Sequence, residues 1–250
     1  MKQEIIKGKE VIGAFLSEIA APNLLRIMQV SGLDFVIVDC EHGYFDFSQV
    51  AALAAVGNGI EFPVIVRVPS VSRDCIQKYL DAGVDGILVP MLETKEQAEH
   101  LVEYGKYAPD GKRGISTMRP HSNYNPGRLK DYTARANQRT MLFAQIETKK
   151  GVQNISQITE VKGIDGIFIG PNDLACDLGT MGDFSTQEME ACIDAVIEAS
   201  QNAGISSGII TSKIDFIEQC RNKGMIMFSC DSELGLLKKG ILEMKERVGI

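Results

Sequence analysis

A chain of 250 residues with 44% hydrophobic and 24% charged residues can bury a sizeable core and is too apolar to remain disordered. Its net charge of -7 and pI near 5.1 exclude a broad nucleic-acid surface, which needs clustered Lys and Arg, yet allow a small anion held by one or two well-placed cations. The opening MKQEIIKGKEVIGAFLSE scatters charge where a secretory signal needs an apolar run, and no stretch approaches the roughly 20 apolar residues of a membrane span, so a soluble cytoplasmic protein is expected.

In chain order, short β-rich apolar runs alternate with segments of helical period. Strands are predicted at 11–17, 35–39, 63–68, 85–91, 142–147, 165–170, 206–210 and 225–230. Helices are predicted between them at 46–57, 72–81, 94–105, 148–161, 185–203 and 212–222. Ser72, Thr94, Ser185 and Ser212 offer N-caps, and Gly83, Gly204 and Gly224 offer stops. Runs this continuously apolar suit strands covered on both faces, as in a parallel sheet. Eight such units match one α/β domain over 1–250, a single (β/α)8 TIM barrel, with a doubly wound open sheet as the alternative. The segment at about 108–137 breaks the rhythm: long, polar and rich in turn formers, it reads as an insertion after the fourth unit, either a lid or a surface loop. The six cysteines contain no C-x-x-C pair and read as reduced, mostly buried small apolar residues.

In a barrel, catalytic groups gather at the C-terminal ends of strands. FVIVD ends in Asp39 and continues into Glu41 and His42; VIVR ends in Arg67; LFAQIE carries Gln145 and Glu147; FIG, closing on Gly170, runs into Pro171, Asn172 and Asp173. Glu147 and Asp173, at neighbouring strand tips, could converge on one hard cation, since two carboxylates without His or Cys suit Mg2+ or Mn2+ better than zinc and leave positions open for substrate. The competing reading makes Asp173 a helix cap and Glu147 the start of the next helix. Arg67 closes an apolar strand, where a guanidinium wants a carboxylate or enolate oxygen; a salt bridge to a mouth acid is the alternative. Imidazole is the side chain suited to proton transfer near neutral pH, so a histidine at such a mouth, His42, could move a proton. His100 reads as a surface helix residue and His121, in the insertion, stays open.

V-D-C-E-H-G at 38–43, V-I-V-R-V-P at 64–69, G-V-D-G-I-L-V-P-M at 83–91, K-R-G at 112–114, Q-I-E-T at 145–148 and G-P-N-D-L at 170–174 together resemble the HpcH/HpaI class II aldolases, along nearly the whole chain. The resemblance implies a barrel, a divalent metal (Mg2+ or Mn2+, with Co2+ a further candidate) and reversible aldol addition of pyruvate to an aldehyde. The product would be of the 2-dehydro-3-deoxyglucarate or 4-hydroxy-2-oxoheptanedioate type. It implies metal ligation by Glu147 and Asp173, and pyruvate contacts from Gln145 and the backbone at Gly170, Pro171 and Asn172. Enolate stabilisation would fall to Arg67 and base catalysis to His42. It also implies an aspartate that raises the basicity of this histidine, at Asp81 in Y-L-D-A-G. That position lies near the end of a predicted helix, away from the mouth, so it would reach His42 across a subunit boundary, whereas Asp39 is nearer; both stay candidates. A shared site implies a homo-oligomer, a hexamer by resemblance. The stretch T-M-R-P-H-S-N-Y-N at 117–125 departs from the pattern expected of sugar-acid aldolases, and Asn172 stands where relatives often carry Ala or Ser. The rival functions are a related metal-dependent lyase acting on another oxoacid or a thioester, and a non-catalytic binding barrel.

Overall fold

In the computed structural model, which describes residues 1–249, eight parallel strands close into a barrel in sequence order, β1 pairing with β8. The elements run α1 (Lys2–Ile6), β1 (Val11–Leu16), α2 (Leu24–Val30), β2 (Phe35–Asp39), α3 (Phe47–Gly59), β3 (Val64–Arg67), α4 (Arg73–Ala82), β4 (Gly86–Val89) and α5 (Lys95–Gly105). A 3-10 turn at Pro120–Ser122 precedes α6 (Leu129–Arg139), β5 (Met141–Ile146), α7 (Lys149–Gln153), α8 (Ile155–Thr159), β6 (Gly166–Ile169) and α9 (Pro171–Leu178). The chain continues through α10 (Gln187–Ala203), β7 (Ser206–Ile210), α11 (Ile214–Asn222), β8 (Met227–Ser232) and α12 (Glu233–Val248). No helix among the described residues is long and apolar enough to cross a membrane.

The strands are apolar on both faces because each faces two cores. Phe15, Phe35, Ile37, Ile65, Leu88, Phe143, Phe168 and Met227 point into the lumen, where Phe143 and Phe168 meet edge to face with ring centroids 5.5 Å apart. The alternate residues, such as Val36, Val38, Val64, Val66, Ile167 and Ile169, pack outward under the helices. The lumen is therefore filled below its mouth, and the inward positions that follow are polar: Asp39, Arg67 and Gln145.

Each strand predicted from periodicity is present, with ends shifted by a few residues. The helix expected at 148–161 is broken into α7 and α8, because the chain leaves helical geometry at Asn154, which ends one and begins the other. Ser72 and Thr94 cap as expected. Ser185 does not: Thr186 caps α10, while the Ser185 hydroxyl donates to Asp183. Ser212 gives way to Lys213, which starts α11 without a side-chain cap. The segment 108–137 carries the 3-10 turn and most of α6, and the turn packs on the flank of α4. The cysteines are free, but only Cys220 is buried and Cys176 is exposed; Cys40, Cys75, Cys192 and Cys230 are half-buried against the edge of the core.

Candidate active site

Asp39 and Arg67 are register partners on adjacent strands, so their inward side chains must meet. The Arg67 guanidinium donates from Nε (2.9 Å) and Nη2 (2.7 Å) to the two oxygens of Asp39, a bidentate pair. The Phe15 ring lies 4.8 Å from the guanidinium carbon. Nη1 is 3.3 Å from Glu41 Oε2. Burial opposes ionisation of Asp39, but Arg67 and the backbone N–H groups of His42 and Glu41 outweigh it and hold the carboxyl below its usual range. The salt-bridge alternative for Arg67 is thus realised, with Asp39 and Glu41 as partners rather than Glu147. A guanidinium held from behind in this way has a fixed orientation, which is also what oxyanion binding needs.

Glu147 follows β5 and is 2% exposed. Its Oε1 accepts the Met91 backbone N–H at 2.7 Å and its Oε2 accepts the Gln145 amide. Burial pushes its carboxyl up to about 7, the charges of Asp173 and Glu41 adding in the same direction against those two hydrogen bonds. Asp173 is exposed in the first turn of α9. Neither carboxylate is a cap: α9 starts at Gly170 with no side-chain cap bond, and Thr148 caps α7. Gly170 is required by close approach, because a Cβ there would lie 2.3 Å from Glu147 Oε2. Pro171 occupies the first turn and has no N–H to offer, and the next amides of α9, Asn172 among them, have no intrahelical acceptor and can bind an anion. Gln145 is buried with its Oε1 unpartnered.

These features fit a hard divalent cation. The donors are oxygens, a bound cation would offset the burial that disfavours the Glu147 carboxylate, and the missing Cβ of Gly170 leaves room beside Oε2. No group of three or more His, Cys, Asp or Glu side chains converges on a metal-sized site among the described residues; a cation held by two carboxylates would keep coordination positions for a chelating ligand.

His42 projects into solvent, its side chain 69% exposed, and the nearest acid to its ring is Glu41, with Nε2 to Oε2 at 3.8 Å. Asp39 touches His42 through the backbone N–H at 3.3 Å. Asp81, near the end of α4, accepts from Arg113 at 2.7 Å and lies 3.6 Å from His121 Nε2. Within one chain the structure gives the His42 ring neither aspartate as a hydrogen-bond partner. His121 lies on the flank of the barrel, hydrogen-bonded to the Tyr132 hydroxyl and the Ser116 carbonyl, and His100 is exposed.

Three participants carried little sequence signal. Glu41 stands in the D-C-E-H run, but its bridge to Arg67 depends on loop geometry. Met91 contributes a backbone amide, turned toward Glu147 by a positive φ of 51° that no side-chain pattern announces. Glu233, buried at the start of α12, accepts backbone N–H groups from the end of β1.

A barrel whose oxygen donors and anchored guanidinium share one mouth belongs among the (β/α)8 enzymes that handle carboxylate-bearing oxyanions. The chain is a member of the HpcH/HpaI aldolase/citrate lyase family, whose model matches residues 12–239. It is 33% identical over 223 residues to the hydroxypyruvate/pyruvate aldolase of Roseovarius nubinhibens, covering 89% of this chain and 86% of that protein. It is 31% identical over 242 residues to the 5-keto-4-deoxy-D-glucarate aldolase of Shigella sonnei, covering 96% and 93%. Among solved structures, an HpcH/HpaI aldolase from Desulfitobacterium hafniense superposes with a TM-score of 0.92 at 29% identity, covering 98% of this chain and 96% of that one. The protein is accordingly a carbon–carbon lyase of the aldolase type.

Proposed function

We propose that the protein is a class II pyruvate aldolase, which cleaves or forms the bond between the pyruvate methyl carbon and an aldehyde in a metal-dependent, reversible reaction. A sugar-acid or dicarboxylic 2-oxo-4-hydroxy acid is the substrate class. Glu147 and Asp173 would hold Mg2+, Mn2+ or Co2+; when bound, the ion supplies Lewis-acid stabilisation of negative charge on a chelating oxoacid. The observation that carries the reading is geometric: a carboxyl at Glu147, 2% exposed, stands at the same barrel mouth as the buried, anchored guanidinium of Arg67, and a cation would offset the cost of burying that carboxylate.

The chain's own residues supply the rest. Arg67, braced by Asp39 and Glu41, presents a fixed positive charge to the oxygen that becomes negative when the bond breaks or the methyl proton leaves. Gln145 and the free amides at the start of α9, beside Gly170, Pro171 and Asn172, orient the pyruvate part. His42, free in solvent, takes or returns the proton. Its partner would be Asp81 from a neighbouring subunit, since Asp39 is committed to Arg67. A homo-oligomer, hexameric by resemblance, would bring them together. The exposed apolar residues of α12, Leu236, Leu237, Ile241, Leu242 and Met244, fit burial against another copy.

The test is deuterium exchange into the pyruvate methyl group, followed by NMR with Mg2+ or Mn2+ and again with EDTA. Exchange that requires the metal is expected. Exchange that persists unchanged in chelator removes the metal from the mechanism, and its absence with any divalent ion removes pyruvate as the nucleophile.

A further inference from the structure

Of the sixteen residues of α12, one is buried: Glu233, at its first position and 4% exposed. A helix that merely needed an apolar anchor would bury a Leu there, because an enclosed carboxylate is costly unless its oxygens are satisfied. The oxygens are satisfied, and by an unusual set of donors. Oε1 accepts the backbone N–H of Ser17 at 2.8 Å, of Glu18 at 2.7 Å and of Ile19 at 3.1 Å, and Oε2 accepts that of Ser17 at 2.9 Å. Three consecutive amides turned toward one anion form a nest, and this one terminates β1 at the barrel mouth.

The same peptide segment faces the catalytic loop. The Ser17 carbonyl accepts the Tyr44 N–H at 3.1 Å. Between them the chain passes so closely that a Cβ on Gly43 would lie 2.6 Å from the Ser17 oxygen and 2.2 Å from the Asp39 oxygen. The loop carrying Glu41 and His42 is therefore fastened at both ends. At its start the Asp39 carboxylate accepts the Glu41 and His42 amides at 3.1 and 3.3 Å; at its end Ser17 holds Tyr44. The second fastening is as well placed as Ser17, and Ser17 is placed by Glu233.

We propose that Glu233 is a positioning residue of the active site, fixing through Ser17 the loop that presents Glu41 and His42. Its kinetic consequence rests on the proposed aldolase function; its structural consequence does not.

The experiment compares wild type with Glu233→Gln, which keeps the shape but turns an NH2 toward amide donors. Hydrogen exchange read by mass spectrometry on the peptide containing Tyr44 is expected to show lost protection. Under saturating metal, kcat for pyruvate methyl exchange is expected to fall about tenfold with a much smaller change in KM, as a small misplacement of a catalytic loop does. Unfolding temperature and Mn2+ affinity are expected to stay near wild type. A folded variant with wild-type Tyr44 protection and kcat overturns the inference, as does a kcat loss that only follows a falling unfolding temperature. If wild type exchanges no methyl protons, the aldolase reading fails, and Tyr44 protection alone decides for or against Glu233. Should Glu233→Gln not fold, Glu233→Asp, which retains charge but shortens the reach, carries the same two readings.

Discussion

Asp39 and Arg67 show what a residue-level reading of sequence can reach. An arginine ending an apolar strand announces an anionic partner, and an aspartate ending the preceding strand offers one; pairing them requires only the register Asp39 to Arg67. What sequence withholds is the division of labour, since Asp39 braces Arg67 rather than the His42 ring. Asp39→Ala would remove the bidentate partner and leave the buried Arg67 guanidinium with Glu41 alone, so the expected loss in denaturant unfolding near neutral pH is about 3 kcal/mol, at the low end for breaking a buried pair. Glu147 gives an opposite and pH-dependent case. Its folded value of about 7 lies above the 4.5 of an unhindered glutamate, so the folded state binds the proton more tightly. The stabilisation is fully present below about pH 4.5 and is lost as pH rises through about 7, amounting to roughly 3 kcal/mol by about pH 8. In EDTA, Glu147→Gln is therefore expected to unfold at a higher temperature than wild type at alkaline pH, with the difference vanishing near pH 4.5. Calorimetry across that range checks it, and a pH-independent difference would contradict a buried ionising carboxyl.

At the scale of elements, strands were legible because burial on both faces leaves a continuous apolar run, and their C-terminal ends were legible because polar residues begin there. Helices were legible where an amphipathic pattern met a cap, as at Ser72 and Thr94. The short α9 was reached only through the reading of Asp173 as a helix cap, and Gly170 starts it without a side-chain bond; α12 was not predicted although Leu234, Leu237, Ile241 and Met244 recur at helical spacing. The junction of β6 and α9 yields its own expectation. Gly170→Ala places a methyl 2.3 Å from Glu147 Oε2, so the carboxylate must move from its present position. Mn2+ affinity by electron paramagnetic resonance is expected to fall at least about tenfold, in line with losses seen when groups that orient metal ligands are altered. The barrel itself is expected to remain folded by circular dichroism, because the substitution lies beyond the last residue of β6.

For the whole molecule, the need for a crossover after each parallel strand makes eight βα units legible but suits an open sheet as well as a barrel; the number of units matches the barrel, and the pairing of β1 with β8 closes it. Contacts between chains have no such periodic signature, and the Asp81 assignment depends on them. Within one chain Asp81 is bound to Arg113 and the exposed His42 ring has no hydrogen-bonded acid, so the proposed dyad needs a second copy to form. The face of α12 supplies the lever for a test, because Leu237, Ile241 and Leu242 are exposed along it and belong to no described catalytic contact. Replacing Leu237 and Ile241 together with Glu introduces charge that burial between copies would not tolerate. Sedimentation is expected to show a smaller species than wild type. If Asp81 acts across the boundary, methyl exchange should fall with the loss of assembly and recover no further when metal is added. A smaller species that keeps full activity would confine the site to one chain and remove Asp81 from it; an unchanged wild-type assembly would place the contact between copies on another face.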